Sequence, residues 1–299
     1  MWQDWADRTA EQFVSKGLLS KGICLVLGGS DTGKTTLTAA LAARLARYKA
    51  VGIVDADIGQ SHIGPPTTVG WAVVEKTKAP KSTFEPAQNQ QVDFTRLPVQ
   101  GISFVGDITP VGHLLQLTAA INECVGQALK TAGSIIIDTP GLVTGAAAWA
   151  LWWTVQKMVQ PQVILAVRRE DELTDVLSGS RGGNSVIESV QSPPEIPVKS
   201  PQQRHRWRQD QFNRYFMNSR VYEMSLTQIA VQKSGRFASA GLVNRLVGLR
   251  NKAGVDLAVG LIIDCRQDIN TVTVRAPELD MEKISCMVIG DVPIDINNQ

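Results

Sequence analysis

Short apolar runs alternate with longer amphipathic stretches through the first part of the chain. "GICLVLGG" (22–29) is apolar throughout and ends in glycines, the pattern of a buried parallel strand. "KTTLTAALAARLARY" follows, with Leu37, Leu41 and Leu45 at helical spacing. "AVGIVDAD" predicts a second buried strand closing on aspartates, "GISFVGD" a third, "SIIIDTPG" a fourth and "QVILAVR" a fifth. "HLLQLTAAINECVGQALKTA" and "AAAWALWWTVQKMVQ" read as helices between them. This alternation from 22 to about 170 predicts an α/β fold, a mostly parallel sheet with helices on both faces.

Two regions break the rhythm. "SGSRGGNSVIESVQSPPEIPVKSPQQ" is rich in Ser, Pro and Gly and reads partly as loop, and it runs into the basic, helix-like "RHRWRQDQFNRYF". After about 218 the segments are short and alternating, separated by Gly, Asn and Asp, which predicts a small β-rich C-terminal domain. The expected division is therefore 1–217 and 218–299, with a lid over about 180–216.

Composition narrows the class without choosing a function. The 299 residues are 43% hydrophobic and 19% charged, enough apolar surface for a sizeable core. With 30 basic and 28 acidic side chains the net charge is +2, so only a local cluster speaks for nucleic acid. Cys24, Cys124, Cys265 and Cys286 lie far apart, which argues against disulfides or a cysteine metal site and fits a reducing cytoplasm. The polar, acidic N-terminus does not read as a signal peptide, and "GAAAWALWWTVQKMV" is too short for a membrane span.

Gly28-x-x-x-x-Gly33-Lys34-Thr35 completes the pattern G-x-x-x-x-G-K-[ST] between a predicted strand and a predicted helix. Glycines let backbone N–H groups converge on phosphate oxygens, and the helix start adds its positive dipole end. Gly28, Gly29, Ser30, Asp31, Thr32, Gly33, Lys34, Thr35 and Thr36 are thus the candidate nucleotide-binding residues. Lys34 is placed to reach the β/γ oxygens and Thr35 to ligate Mg²⁺.

Asp55 and Asp57 close the second strand at the edge where open parallel sheets bind ligands. There they hold Mg²⁺ or accept a proton from an attacking hydroxyl; the alternative is turn or cap aspartates. Asp138 ends the fourth strand in the Walker B position, so Thr35, Asp55 and Asp138 are the metal candidates. The only Asn-Lys pair, Asn251-Lys252, continues Ala-Gly in the β-rich region, which counts against a GTPase.

Lys199, Arg204, Arg206, Arg208 and Arg214 face one acid, Asp210, in the basic stretch. That pattern is either a solvated helix face or a lid whose arginines close on a transferring phosphoryl group. Trp149, Trp152 and Trp153 share a helical face and read as core rather than as a base-stacking surface. His62, His113 and His205 have no metal-site spacing and read as polar loop residues.

Together these pieces resemble the P-loop polynucleotide 5′-hydroxyl kinases, the family of the kinase subunit of the mRNA cleavage and polyadenylation machinery and of the ribosomal RNA-processing kinase. "GGSDTGKTT", "VDADIGQ", "GDITP", "IDTPGLVTG", "VKSPQQRHRWR" and "NRYF" occur in the family's order over roughly 20–296. The resemblance implies ATP or another NTP and Mg²⁺ as cofactors, and the 5′-hydroxyl end of RNA or DNA as acceptor. It implies phosphate and Mg²⁺ binding by Lys34 and Thr35, activation of the acceptor hydroxyl by Asp57, and lid roles for Arg204 and Arg208. It places Gln60 near phosphates and acceptor, and gives Asp107 and Thr109 to the turn that grips the acceptor end. Leu142 stands where the family carries a base-stacking tryptophan, Asp138 replaces Asn, Ile108 replaces Thr and Lys199 replaces Arg. The chain is expected to be a short, prokaryotic-type member without the eukaryotic N-terminal domain. A non-catalytic ATP-binding scaffold and an NTPase switch remain as rival readings, and the motifs do not choose an oligomeric state.

Overall fold

The computed structural model describes residues 2–19, 21–77, 92–180, 183–233 and 241–294. Its first sheet takes seven strands: β1 (Gly22–Gly28), β2 (Val51–Asp55), β3 (Thr68–Val74), β4 (Val99–Phe104), β5 (Ser134–Asp138), β6 (Val163–Arg168) and β7 (Val186–Gln191). Their order is β4–β3–β2–β5–β1–β6–β7. β2, β5, β1, β6 and β7 run parallel, and β3 is antiparallel to both its neighbours.

The central strands lack a polar face because both faces are covered. Along β1, Leu25 and Leu27 point to one side with Leu117 and Ile121 of α3 (Leu114–Ala128) and Leu151 and Trp152 of α4 (Gly145–Val159). Cys24 and Val26 point to the other, with Phe13 of α1 (Trp2–Ser15) and Leu37 and Leu41 of α2 (Lys34–Leu45). The two-residue period of a strand thus feeds two cores. A short helix, α5 (Thr174–Ser178), follows β6.

Four features differ from the expectations. α1 forms from the polar N-terminal run because Ala6, Ala10 and Phe13 recur at helical spacing and bury, while Arg44 of α2 pairs with Asp7 (3.1 Å) and Glu11 (2.9 Å). β3 intervenes between the second and third expected strands and turns the sheet's edge antiparallel. β7 forms inside the Ser/Gly-rich stretch, as a parallel edge strand on β6. Of the three tryptophans, Trp152 is buried and donates Nε1–H to the Leu142 carbonyl (2.6 Å), whereas Trp149 and Trp153 are exposed and stack on one another at 6.0 Å. A pitch of 3.6 residues puts 149 and 153 on one stripe and turns 152 away from 153 by about 100°.

The second sheet draws its strands from residue 220 onward: β8 (Arg220–Ser225), β9 (Ala230–Lys233), β10 (Arg245–Arg250), β11 (Asp256–Arg266), β12 (Thr271–Ala276) and β13 (Cys286–Pro293). The order is β8–β12–β11–β10–β13–β9, antiparallel except for β13 with β9. Asn251 sits in the β10–β11 turn, where its side chain accepts from the Ala253 and Val255 amides, remote in role from any nucleotide site.

The two sheets share an apolar seam. Ile102 and Phe104 of β4 pack with Phe212 and Phe216 of α6 (Pro201–Phe216) and with Leu246, Val259 and Val288 of the second sheet. At its edge the buried Asp256 carboxylate accepts from the Phe104 amide (2.7 Å) and from Arg250 Nε (2.7 Å). That arrangement satisfies an edge-strand donor that would otherwise face the neighbouring sheet.

Candidate active site

The loop from β1 to α2 carries the phosphate-binding pattern. Gly33, at the start of α2, has φ +92, a left-handed conformation that suits glycine. A Cβ there would also meet Ile196 at 2.7 Å and Trp5 at 3.2 Å. Trp5 of α1 therefore walls the loop, a neighbour the motif itself could not announce. Lys34 is buried, and its Nζ donates to the Gly29 carbonyl at 2.7 Å. Burial lowers its pKa, and the charges of Asp138, Asp57 and Asp31 oppose that shift.

Parallel pairing brings the strand-end aspartates together. Asp55 of β2 sits opposite Asp138 of β5, and Asp138 opposite Val26 of β1, two residues before Gly28 at the start of the phosphate loop. Both are buried, and burial raises both pKa values: Asp55 well above the carboxylate range, helped by Asp138, and Asp138 to about 6, opposed by Lys34 and a hydrogen bond from the Thr35 hydroxyl.

Their oxygens differ in what they already hold. Asp55 accepts from the Asp57 amide (3.1 Å), the His62 and Ile63 amides and the Ser61 hydroxyl. It organises the 57–63 loop. Asp138 Oδ1 is buried with no hydrogen-bond partner among the described residues. A buried acceptor left open beside the Thr35 hydroxyl and Lys34 fits a phosphate-bound divalent cation. Asp138 and Thr35 therefore present the open ligand set, and Asp55 is already used by the loop.

Asp57 opens that loop. Its Oδ1 accepts from the Gly59 (3.1 Å) and Gln60 (3.0 Å) amides, which fixes the carboxylate's direction. Burial raises its pKa, with Lys34 pulling the other way. The chain then touches the "GDITP" turn, since a Cβ on Gly59 would lie 2.6 Å from the Ile108 carbonyl. In that turn Asp107 Oδ1 accepts from the Thr109 amide at 2.8 Å, while Thr109 itself is exposed.

α6 lies over the loop. Ser200 caps it in a capping box with Gln203, and Pro201 occupies the first turn. Arg204, Trp207, Arg208 and Gln211 turn inward at spacings of three and four, while His205, Arg206 and Asp210 face solvent, so the basic stretch is part inward face and part solvated face. The guanidinium of Arg204 pairs with Asp31 of the phosphate loop, whose carboxylate also accepts from the Lys199 amide (3.0 Å). Gln60 Nε2 donates to the Arg204 carbonyl (3.3 Å), and Trp207 Nε1 donates to the Ser61 carbonyl (3.3 Å) with its ring 4.8 Å from that of His62. Partial burial and then Arg204 lower the pKa of Arg208, which feels the charge of Asp57.

The structure thus gathers Lys34, Thr35, Asp57, Gln60, Asp138, Arg204 and Arg208 at one edge of the parallel sheet. Leu142 packs against the core beneath α4, its carbonyl holding Trp152.

Fold and site define a P-loop protein whose phosphate loop faces a carboxylate loop and a basic helix. The family is that of the mRNA cleavage and polyadenylation factor CLP1, whose P-loop family model matches residues 28–218; the chain belongs to it. It is 28% identical over 214 residues to a polyribonucleotide 5′-hydroxyl-kinase of Pyrococcus horikoshii, covering 71% of this chain and 55% of that protein. To the enzyme of the same description from Pyrococcus furiosus it is 30% identical over 225 residues, covering 73% of this chain and 57% of the relative. The chain spans about half the length of the curated relatives it matches. A solved structure of Clp1p in complex with Pcf11p superposes with a TM-score of 0.72 over 97% of this chain and 79% of that chain, at 13% identity, a likeness of fold.

Proposed function

We propose that the protein transfers the γ-phosphoryl group of ATP, or of another NTP, to the 5′-hydroxyl end of an RNA or DNA strand. The observation that carries this reading is the position of Asp57: a carboxylate of raised pKa, aimed by two amides, between Lys34 and the acceptor-side turn, under two inward arginines. The names of the archaeal relatives support the acceptor class.

In this reading the phosphate loop and Lys34 hold the β- and γ-phosphates, and Asp138 and Thr35 hold Mg²⁺. Bound there, the ion supplies positive charge to the phosphate oxygens. Asp57 accepts the proton of the acceptor hydroxyl as the hydroxyl oxygen bonds to the γ-phosphorus, and the bond from the γ-phosphorus to the β–γ bridging oxygen breaks to release the nucleoside diphosphate. Lys34, Arg204 and Arg208 neutralise charge that develops on the transferring group in a site closed to water. Asp107 and Thr109 hold the acceptor end. We place the reaction in the cytoplasm, where unpaired cysteines persist.

The test is transfer of labelled phosphate from ATP to 5′-hydroxyl ribo- and deoxyribo-oligonucleotides side by side. Wild type labels the acceptor, and Lys34→Ala and Asp57→Asn lower labelling by at least about 10²-fold. Equal, background labelling by all three proteins while wild type binds ATP sinks the kinase reading. A non-catalytic ATP-binding scaffold is then favoured, for which the self-paired Lys34 and Arg204 speak.

A further inference from the structure

We infer that Asp107 and His113, with Asp291 behind the imidazole, form a divalent-metal site joining the two domains, distinct from the phosphate-bound ion. The polar atoms of the three side chains all lie within 4.8 Å of one another. They come from three places: the "GDITP" turn, the residue that precedes α3, and β13 of the second sheet.

The hydrogen bonding sets the roles of the ring nitrogens. Nε2 of His113 lies 2.9 Å from Asp291 Oδ2, and an ionised carboxylate only accepts, so Nε2 carries the hydrogen. Nδ1 is then the nitrogen that can offer a lone pair to a metal. That nitrogen is buried and has no hydrogen-bond partner among the described residues, and His113 is only 8% exposed. It points across 4.0 Å to Asp107 Oδ2.

That gap is too long for a hydrogen bond, but it suits a metal bridge. Bonds of about 2.0–2.1 Å to nitrogen and about 2.0–2.2 Å to carboxylate oxygen span it with a small closure toward tetrahedral angles. A histidine that donates its other N–H to a carboxylate is the usual arrangement behind a metal ligand. Asp107 and His113 are then the ligands, and Asp291 is the outer partner that fixes the ring. Mixed imidazole and carboxylate donors suit Zn²⁺ or Mn²⁺.

The surroundings are built to hold the three residues. The Asp291 amide donates to the Gly106 carbonyl at 2.8 Å. A Cβ on Gly290 would lie 2.8 Å from that same carbonyl and 3.2 Å from Gly106 Cα, so a glycine lets β13 approach the turn. An ion here clamps the second sheet to the acceptor-side turn.

The experiment is Zn²⁺ uptake by the full chain without nucleotide, in competition with a chromogenic chelator, with Mn²⁺ as a second probe. Wild type is expected to take up one equivalent. His113→Gln and Asp107→Asn are expected to bind at least tenfold more weakly, and Asp291→Asn about tenfold. On Zn²⁺ addition, ¹⁵N NMR of the imidazole should move the Nδ1 resonance, and amides of 106–113 and 286–293 should gain protection from exchange. Should His113→Gln fail to fold, Asp107→Asn and the wild-type resonance decide. No stoichiometric uptake of either ion by wild type overturns the proposal, as does binding that is unchanged by both ligand substitutions. Because no nucleotide or acceptor is present, the outcome is independent of the phosphotransfer reading.

Discussion

Arg204 of α6 pairs with Asp31 of the phosphate loop, and the two are 26% and 5% exposed at their side chains. One carboxylate thus holds both the guanidinium and the Lys199 amide that precedes the helix. α6 is thus fastened to the phosphate loop, and in the proposed transfer Arg204 would have to exchange a carboxylate for a phosphoryl group.

Asp31→Ala is predicted to loosen that fastening. A charge-assisted hydrogen bond is worth about 1.5–3 kcal/mol, so amides around 199–208 should exchange roughly tenfold or more faster in the absence of nucleotide. Exchange as slow as in wild type would show that Trp207 and Gln60 hold the helix without Asp31.

Asp138 is a buried carboxyl whose pKa is pushed up to about 6. A raised acid binds its proton more tightly when folded, so its cost is absent below about pH 4 and is fully felt above about pH 6. Asp138→Asn is therefore predicted to raise stability toward denaturant at pH 7.5 by about 1–3 kcal/mol relative to pH 4. The same variant should lose most phosphotransfer. A variant that is both less stable at pH 7.5 and fully active would refute the assignment.

His62 has its pKa pushed down to about 4, chiefly by burial and then by Lys199. Between that value and the ordinary 6.5 the unfolded chain binds the proton and the native chain does not, so stability falls as pH drops through this window. The loss attributable to His62 amounts to up to about 3 kcal/mol. Urea unfolding of wild type and His62→Gln at pH 7 and pH 4.5 isolates it, because the difference between the two proteins should shrink or reverse on acidification. A difference that stays constant with pH means that His62 does not titrate in this window.

Trp152→Ala should cost about 3–5 kcal/mol, since it empties a buried site and strands the Leu142 carbonyl. Trp153→Ala, four-tenths exposed, should cost less than about 1 kcal/mol. Denaturant midpoints of the two variants distinguish them.

What was legible from the chain alone follows the range of the interactions involved. The shared location of Lys34, Thr35, Asp57 and Asp138 at one edge of the sheet could be read because a phosphate loop and strand-end aspartates are local patterns that fix a place in a parallel sheet. α1 could not, because its inward stripe is built on two small residues, Ala6 and Ala10, within a polar run. β3 was hidden by Gly70, whose Cβ-less backbone lies against the Ile63 carbonyl and breaks the apolar run. Nothing local reveals that the 61–63 loop turns back to donate to the Asp55 carboxylate. Asp107, His113 and Asp291 meet only after both sheets have formed, with a sequence separation of 178 between the histidine and its carboxylate.

The second half of α6 has a consequence for motion. Phe212 and Phe216 are sunk in the seam between the sheets, while Arg204 and Arg208 lie toward the helix's other end. The helix is anchored at that end by both sheets. Any displacement of Arg204 and Arg208 from the phosphate loop would have to bend α6 or repack the seam, so the seam's packing bears on the stiffness of α6 at a distance from the two arginines.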